Sequence, residues 1–164
     1  MSYSATATAS NTSTMTEARV RAVMQKVRAN FNAFVVAGHI TAAQADKWAA
    51  DVIYLQLAGV LKFFEVQIDI PGRPRFGIRY TVSADGSVQQ DSASGAIDVY
   101  GLPVGTAVGL LAEPDGPLPA PVRAELARRE WGFNGQSIDA SPSDRRAFSS
   151  GGYGLIREHL GTWP

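Results

Sequence analysis

The sequence WGFNGQSIDASPSDRRAFSSGGYGLIREHLGTWP occupies residues 131–164 and fits neither a single helix nor a solvated tail. Its six Gly, five Ser and two Pro are too many for one long helix. Large apolar residues recur from Trp131 to Trp163, which is far too much apolar surface for a disordered tail. Between Asp144 and Gly154, turn residues alternate with large side chains. We therefore predict that residues 131–164, the C-terminal segment, form an ordered strap that lies across the fold and binds by filling surface grooves.

Two helices are predicted near the start of the chain. Thr14 and Glu17 have the spacing of a capping box, and apolar residues then recur at helical spacing until Gly38, which indicates a helix over about 15–37. A second capping box at Thr41 and Gln44 begins another helix, which ends at Gly59.

The hydrophobic period then changes from helical to alternating. Residues 64–70 and 76–82 alternate apolar and polar side chains on either side of a Pro-Gly turn, as in a β-hairpin, and Asp85-Gly86 makes the next turn. Residues 87–119 hold one or two short strands, and Pro121 begins a helix that ends near Glu130. Helices followed by strands indicate one α+β domain, in which a flexible segment of residues 1–13 precedes a core of residues 14–130 and the C-terminal segment.

The composition excludes several function classes. Lys plus Arg equals Asp plus Glu at 15 each, so the chain lacks the basic stripe of a nucleic-acid binder, and it has no cysteine. His39 and His159 have no partner at metal-ligand spacing, and neither a Walker motif nor a Gly-x-Ser-x-Gly elbow is present. No stretch reaches 18 apolar residues, and residues 1–15 do not form a signal peptide. We expect a cytoplasmic protein that is not an enzyme, needs no cofactor or metal, and contacts no membrane.

Two short motifs carry a resemblance to a known family. The first is Thr-Met-Thr-Glu-Ala-Arg at residues 14–19, where the first helix begins. The second is Asp-Arg-Arg-Ala-Phe-Ser-Ser-Gly-Gly at residues 144–152, which is similar to an Asp-Arg-x-Tyr-Ser-x-Gly-Gly motif. With the order of elements over nearly the whole chain, they resemble the bacterial HORMA-domain proteins of cyclic-oligonucleotide antiphage signalling (CBASS) systems. Phe148 stands where the motif has Tyr, so a hydrogen bond from that hydroxyl has no counterpart here.

The resemblance implies a HORMA-like fold, with long helices packed on an antiparallel sheet and a C-terminal safety belt that wraps around a short closure-motif peptide. The peptide adds a strand to the sheet edge. The closed protein then binds and activates a CD-NTase, an enzyme that makes a cyclic nucleotide second messenger. A TRIP-like AAA ATPase opposes this by engaging the N-terminus.

Site residues follow from this scheme. Large apolar residues of the belt are expected to anchor the peptide, glycines to act as hinges, and the N-terminal residues to serve as the handle for the ATPase. The predicted anchors are Trp131, Phe133, Phe148, Tyr153 and Leu155; the hinges are Gly132, Gly135, Gly151 and Gly152; the handle is Ser2, Tyr3, Ser4, Thr6 and Thr8. Core packing remains an alternative role for each anchor. A constitutively folded subunit that docks on a CD-NTase or a second HORMA protein, without binding free peptide, remains an alternative function.

Overall fold

The computed structural model describes residues 16–91, 97–115, 117–133, 136–137 and 155–159, with side chains described as far as Trp131. Within these ranges the elements are the helices α1 (Glu17–Ala29), α2 (Asn32–Val36), α3 (Ala42–Leu57) and α4 (Ala120–Arg128), a 3-10 helix at Val99–Gly101, and the strands β1 (Leu61–Asp69), β2 (Phe76–Val82), β3 (Val88–Gln90), β4 (Ala107–Pro114), β5 (Gly132–Phe133), β6 (Gln136–Ser137) and β7 (Leu155–His159). The prediction of an α+β class is confirmed.

One sheet joins the strands in the order β3-β2-β1-β4-β7-β5-β6, and each neighbouring pair is antiparallel. The hairpin predicted from alternation is β1–β2, in which Phe64 is opposite Tyr80 and Val66 is opposite Ile78. On its other side β1 pairs with β4. The last described strand, β7, lies between β4 and β5, so part of the C-terminal segment belongs to the sheet itself.

One face of this sheet is buried: along β1 the buried residues Phe64, Val66 and Ile68 alternate with less buried ones, because strand side chains alternate between the two faces. Phe64 and Tyr80 lie on the buried face, and their rings stack with centroids 5.1 Å apart. Phe31 contacts Phe64 from above and meets Trp48 of α3 edge to face, with centroids 5.4 Å apart. Trp48 on α3 is fully buried, and it packs against the sheet through Phe31, which contacts both Trp48 and Phe64.

The first helix differs from its prediction at both ends. The residue that caps α1 is Thr16, whose Oγ1 accepts the backbone N–H of Arg19, and not Thr14. The predicted single helix over 15–37 is also wrong, because it is interrupted after Ala29 and resumes as α2. The side-chain amide of Asn30 donates to the carbonyl of Lys26, which gives the backbone there a local alternative to helical bonding.

The other local predictions agree more closely with the structure. Thr41 and Gln44 form the predicted reciprocal capping box of α3. Gly86 has φ +90° in the turn between β2 and β3, where its amide donates to the carbonyl of Ser83. The fourth helix starts one residue earlier than predicted, with Pro119 as its cap residue and Pro121 inside the first turn.

Candidate functional site

The C-terminal segment leaves the core through a defined turn at the end of α4. The amide of Glu130 donates to the carbonyl of Ala127 at 3.0 Å, and that of Trp131 donates to the carbonyl of Leu126 at 2.9 Å. This pair of bonds is the Schellman motif. It requires the residue whose amide makes the first bond, here Glu130, to adopt left-handed backbone geometry. Glu130 does so with φ +69°, the only positive φ of a non-glycine residue in the described ranges.

The same motif ends two other helices, but with glycine at the left-handed position. Gly38 follows α2 with φ +86°, and Gly59 follows α3 with φ +73°. Glycine has no Cβ and takes this conformation freely, whereas a residue with a side chain pays about 1–2 kcal/mol. The backbone at Glu130 is therefore held against its own preference by what surrounds it.

Part of what holds it is a buried carboxylate on α3. Asp51 is 4% exposed, and its two oxygens accept hydrogen bonds from the residues on either side of Glu130. Arg129 Nη1 lies 2.7 Å from Asp51 Oδ1, and Trp131 Nε1 lies 3.0 Å from Asp51 Oδ2. A buried carboxylate is tolerated only with such charged and hydrogen-bonding partners. Asp51 thus clamps the start of the C-terminal segment to α3.

Arg129 is shared between this carboxylate and two further groups. Its Nε lies 2.8 Å from Glu125 Oε2, and its guanidinium carbon lies 4.7 Å from the ring centroid of Tyr54. Burial disfavours the charge on Arg129, but the hydrogen bonds to Asp51 and Glu125 outweigh it, so the pKa of the guanidinium is raised. Hydrogen bonds from Arg128 and Arg129 lower the pKa of Glu125, which keeps it ionised.

Burial raises the pKa of Tyr54, and the nearby carboxylate of Glu125 acts in the same direction. Its phenol therefore stays neutral and presents an uncharged ring to the guanidinium of Arg129. We call Asp51, Tyr54, Glu125, Arg129 and Trp131 the Asp51 cluster.

The strands that follow the cluster connect it to the middle of the sheet. Gly132 comes directly after Trp131, begins β5, and is paired with Ser137 of β6 and Ile156 of β7. Ile156 is in turn paired with Leu111 of β4. A continuous backbone path thus runs from the clamped Trp131 to the strand β4.

The predicted site residues have different positions relative to this cluster. Trp131 is buried at 4% exposure and hydrogen-bonded to Asp51, so its side chain belongs to the core. The backbones of Gly132 and Phe133 form β5, and Leu155 begins β7. The remaining predicted residues lie outside the described residues: Phe148, Tyr153, Gly135, Gly151, Gly152, Ser2, Tyr3, Ser4, Thr6 and Thr8.

Sequence reasoning missed Asp51, although a signal for it existed. Asp51 is three residues after Trp48 and four before Leu55, and both are buried on the apolar face of α3. A carboxylate at that helical position needs a partner from elsewhere in the chain. Its partners follow it by 78 and 80 residues, and nothing local identifies them.

A shallow groove of about 240 Å³ lies between α1 and α3. Met24 and Ala49 contribute apolar surface, and Arg28 pairs with Asp46 at 2.8 Å on its wall. In that ion pair the two charges are matched to each other, and the Asp46 side chain is 71% exposed.

Neither a metal centre nor a membrane span is found in the part of the chain that the structure describes. No three His, Cys, Asp or Glu side chains come together there in a way that could hold a metal ion. None of the helices in those ranges combines the length and the apolar character that crossing a bilayer requires.

Comparison with known protein families identifies this chain's relatives at the level of a family. The model of a family described as bacterial HORMA domain family 1 matches residues 3–161. No curated protein and no solved structure matches the chain.

Proposed function

The chain belongs to bacterial HORMA domain family 1, and from this membership we propose that it is a non-enzymatic signalling adaptor that binds a peptide. HORMA domains are generally adaptors without catalytic activity, and they bind partner proteins or peptides. The family match over nearly the whole chain is the observation that carries the proposal.

In the proposed mechanism, the C-terminal segment closes around a short closure-motif peptide. The peptide binds as an added strand, so backbone hydrogen bonds supply affinity and alternate side chains supply selectivity. The antiparallel pairing of β7 with β4 supports this, because the C-terminal segment already contributes a strand to the sheet. The predicted anchors Phe133, Phe148, Tyr153 and Leu155 would hold the peptide, with Gly132, Gly135, Gly151 and Gly152 as hinges. Trp131, the fifth predicted anchor, would reach the peptide only if it left its buried position against Asp51.

The closed protein would then bind a CD-NTase and activate synthesis of a cyclic nucleotide second messenger in antiphage defence. A TRIP-like AAA ATPase would reverse closure by engaging the N-terminal residues Ser2 to Thr8. This part of the proposal rests on the resemblance of residues 14–19 and 144–152 to the HORMA proteins of CBASS systems.

A peptide-library selection on the purified full-length protein tests peptide binding. The dissociation constant of the best binder is then measured by calorimetry for the wild type and for Tyr153→Ala. Tyr100→Ala is the matched control, because Tyr100 is 64% exposed on the 3-10 helix, outside the C-terminal segment. We expect Tyr153→Ala to weaken binding by about tenfold or more, as loss of an aromatic anchor does, while Tyr100→Ala binds as the wild type does.

Two outcomes would decide against the proposal. If no peptide is enriched, a constitutively folded subunit that docks on a CD-NTase or a second HORMA protein becomes the better explanation. If a peptide binds but both substitutions leave its affinity unchanged, Tyr153 is not an anchor and the proposed anchoring by the C-terminal segment is contradicted at that residue. Activation is tested separately, by measuring cyclic nucleotide synthesis by a CD-NTase with and without the adaptor and its peptide.

A further inference from the structure

We infer that Asp51 is a positioning residue that controls whether β7 stays paired with β4. Asp51 lies on α3 and acts through Trp131, which fixes β5 and thereby supports β7. The coupling is a property of the folded chain, and its consequence for peptide capture rests on the proposed function.

The first step is that Asp51 fixes the orientation of the side chains that donate hydrogen bonds to it. An aliphatic side chain at this position would pack against many neighbours equally well. A carboxylate at 4% exposure instead requires Arg129 and Trp131 in one arrangement, since leaving a buried charge without partners is costly. The backbone bonds around Glu130 confine the chain between these two residues to a single tight turn.

The second step is that β5 has few other supports within the described ranges. It has two residues, and Gly132 is the one position at which it is paired with β7, opposite Ile156. Because Trp131 precedes Gly132 directly, displacement of the indole would move the backbone that carries this pairing. The hydrogen bond between the Trp131 indole and Asp51, together with the bond from the Trp131 amide to the carbonyl of Leu126, is therefore the nearest fixed point for the outer strands.

The third step concerns β7 itself. Its pairing with β4 contains a register shift between Leu110 and Leu111, where Glu158 and Ile156 are the respective partners. Ladder bonds are disrupted at such a shift. The pairing of β7 with β4 joins four residue pairs with the shift in its middle, whereas β1 and β4 share eight residue pairs with a shift near one end, so β7 is held less firmly than β1. Support from β5 on the opposite side then decides how long β7 stays bound. Release of Trp131 would free β7 and expose the edge of β4 to another extended strand.

Hydrogen exchange of the full-length protein tests the coupling without any peptide. Asp51→Asn keeps the shape of the side chain but turns an amide N–H₂ toward one of the two donors, Arg129 or Trp131. We expect amides of residues 155–159 to lose about tenfold or more of their protection, while those of β1 and β2 change much less. The control is Asp46→Asn on the same helix, where the side chain is 71% exposed and pairs with Arg28 at the surface.

The indole group provides a second, independent test. Trp131→Phe keeps an aromatic ring but removes the N–H that Asp51 accepts, so it should reproduce the local loss of protection even if Asp51→Asn does not fold. In the wild type, the Nε1–H of Trp131 should itself exchange slowly, and Asp51→Asn should accelerate it.

Three results would overturn the inference. The first is equal loss of protection in β1, β2 and β7, which would make Asp51 a general stabilising residue. The second is unchanged protection of β7 in both variants, and the third is fast exchange of the Trp131 indole in the wild type. A local loss at β7 with unaltered peptide affinity would instead support the coupling and contradict the proposed function.

Discussion

Replacing Gly86 by alanine should lower the free energy of unfolding more than the same replacement at most other glycines of the described residues. Gly86 has φ +90°, and an ideal Cβ built there would lie 2.4 Å from Cγ2 of Val23. Val23 is 3% exposed on α1, beneath the turn between β2 and β3, so it has little room to move. The added methyl group therefore meets both backbone strain and a packed side chain.

The expected magnitude follows from these two costs. Left-handed geometry costs an alanine about 1–2 kcal/mol. Overpacking against a buried side chain adds about 1–3 kcal/mol. Their sum, about 2–5 kcal/mol, is a large part of the 5–15 kcal/mol that typically holds a domain together.

Gly72 provides the matched control for this measurement. It lies in the turn between β1 and β2 with φ +78°, and a Cβ there would meet nothing within 4 Å. Both alanine variants incur the backbone cost, so equilibrium unfolding in urea, followed by circular dichroism, should show Gly86→Ala less stable than Gly72→Ala by about 1–3 kcal/mol. Adding Val23→Ala should relieve part of the loss in the Gly86 variant. Equal losses of free energy of unfolding in the two glycine variants would refute the packing argument.

Three further predictions concern stability and its dependence on pH. Glu130→Gly should stabilise the protein by about 0.5–1 kcal/mol in urea unfolding, because glycine removes the left-handed strain at some cost in entropy; a destabilised variant would show that the Glu130 side chain outweighs its backbone. Burial raises the pKa of Tyr80 above its ordinary value of 10.0, so the stability tied to its neutral form is complete below that pH and is lost as pH rises through the folded-state pKa. Tyr80→Phe should therefore lose less stability than the wild type between pH 8 and about 11; an identical decline in both proteins would contradict this. Arg129→Lys should destabilise by about 1–3 kcal/mol in the same urea assay, since one ammonium cannot replace the planar fork that joins Asp51 to Glu125; a stability equal to that of the wild type would show that charge alone suffices.

Local sequence signals identified most helix ends and turns because their causes lie within a few residues. Thr41 and Gln44 are three positions apart, and their reciprocal bonds need nothing else from the fold. The break after Ala29 was different. Phe31 and Phe34 continue the apolar spacing of α1 and are buried in the same core, so the hydrophobic pattern runs through the interruption unchanged. Only the side-chain bond of Asn30 marks it.

The candidate site was less accessible to sequence reasoning because its parts are far apart in the chain. Trp131 was predicted as a peptide anchor with core packing as the alternative, and its side chain is buried and hydrogen-bonded to Asp51, 80 positions earlier. Glu130 offers no sequence signal for a left-handed position, which Gly normally marks. The family, in contrast, was identifiable from short motifs and the order of elements, and the match over residues 3–161 confirms it.

The position of β7 between β4 and β5 also has a consequence during protein synthesis. The last residue of β4 is Pro114 and the first of β7 is Leu155, so 155 − 114 = 41 residues must be added before the neighbour of β4 exists. At about 5–20 residues per second, this takes roughly 2–8 s on the ribosome. Once β4 has left the ribosome, it can pair with β1, while its other side has unpaired backbone groups until β7 follows it out. Each newly made molecule therefore passes through a stage in which this edge is open to an extended strand from another chain.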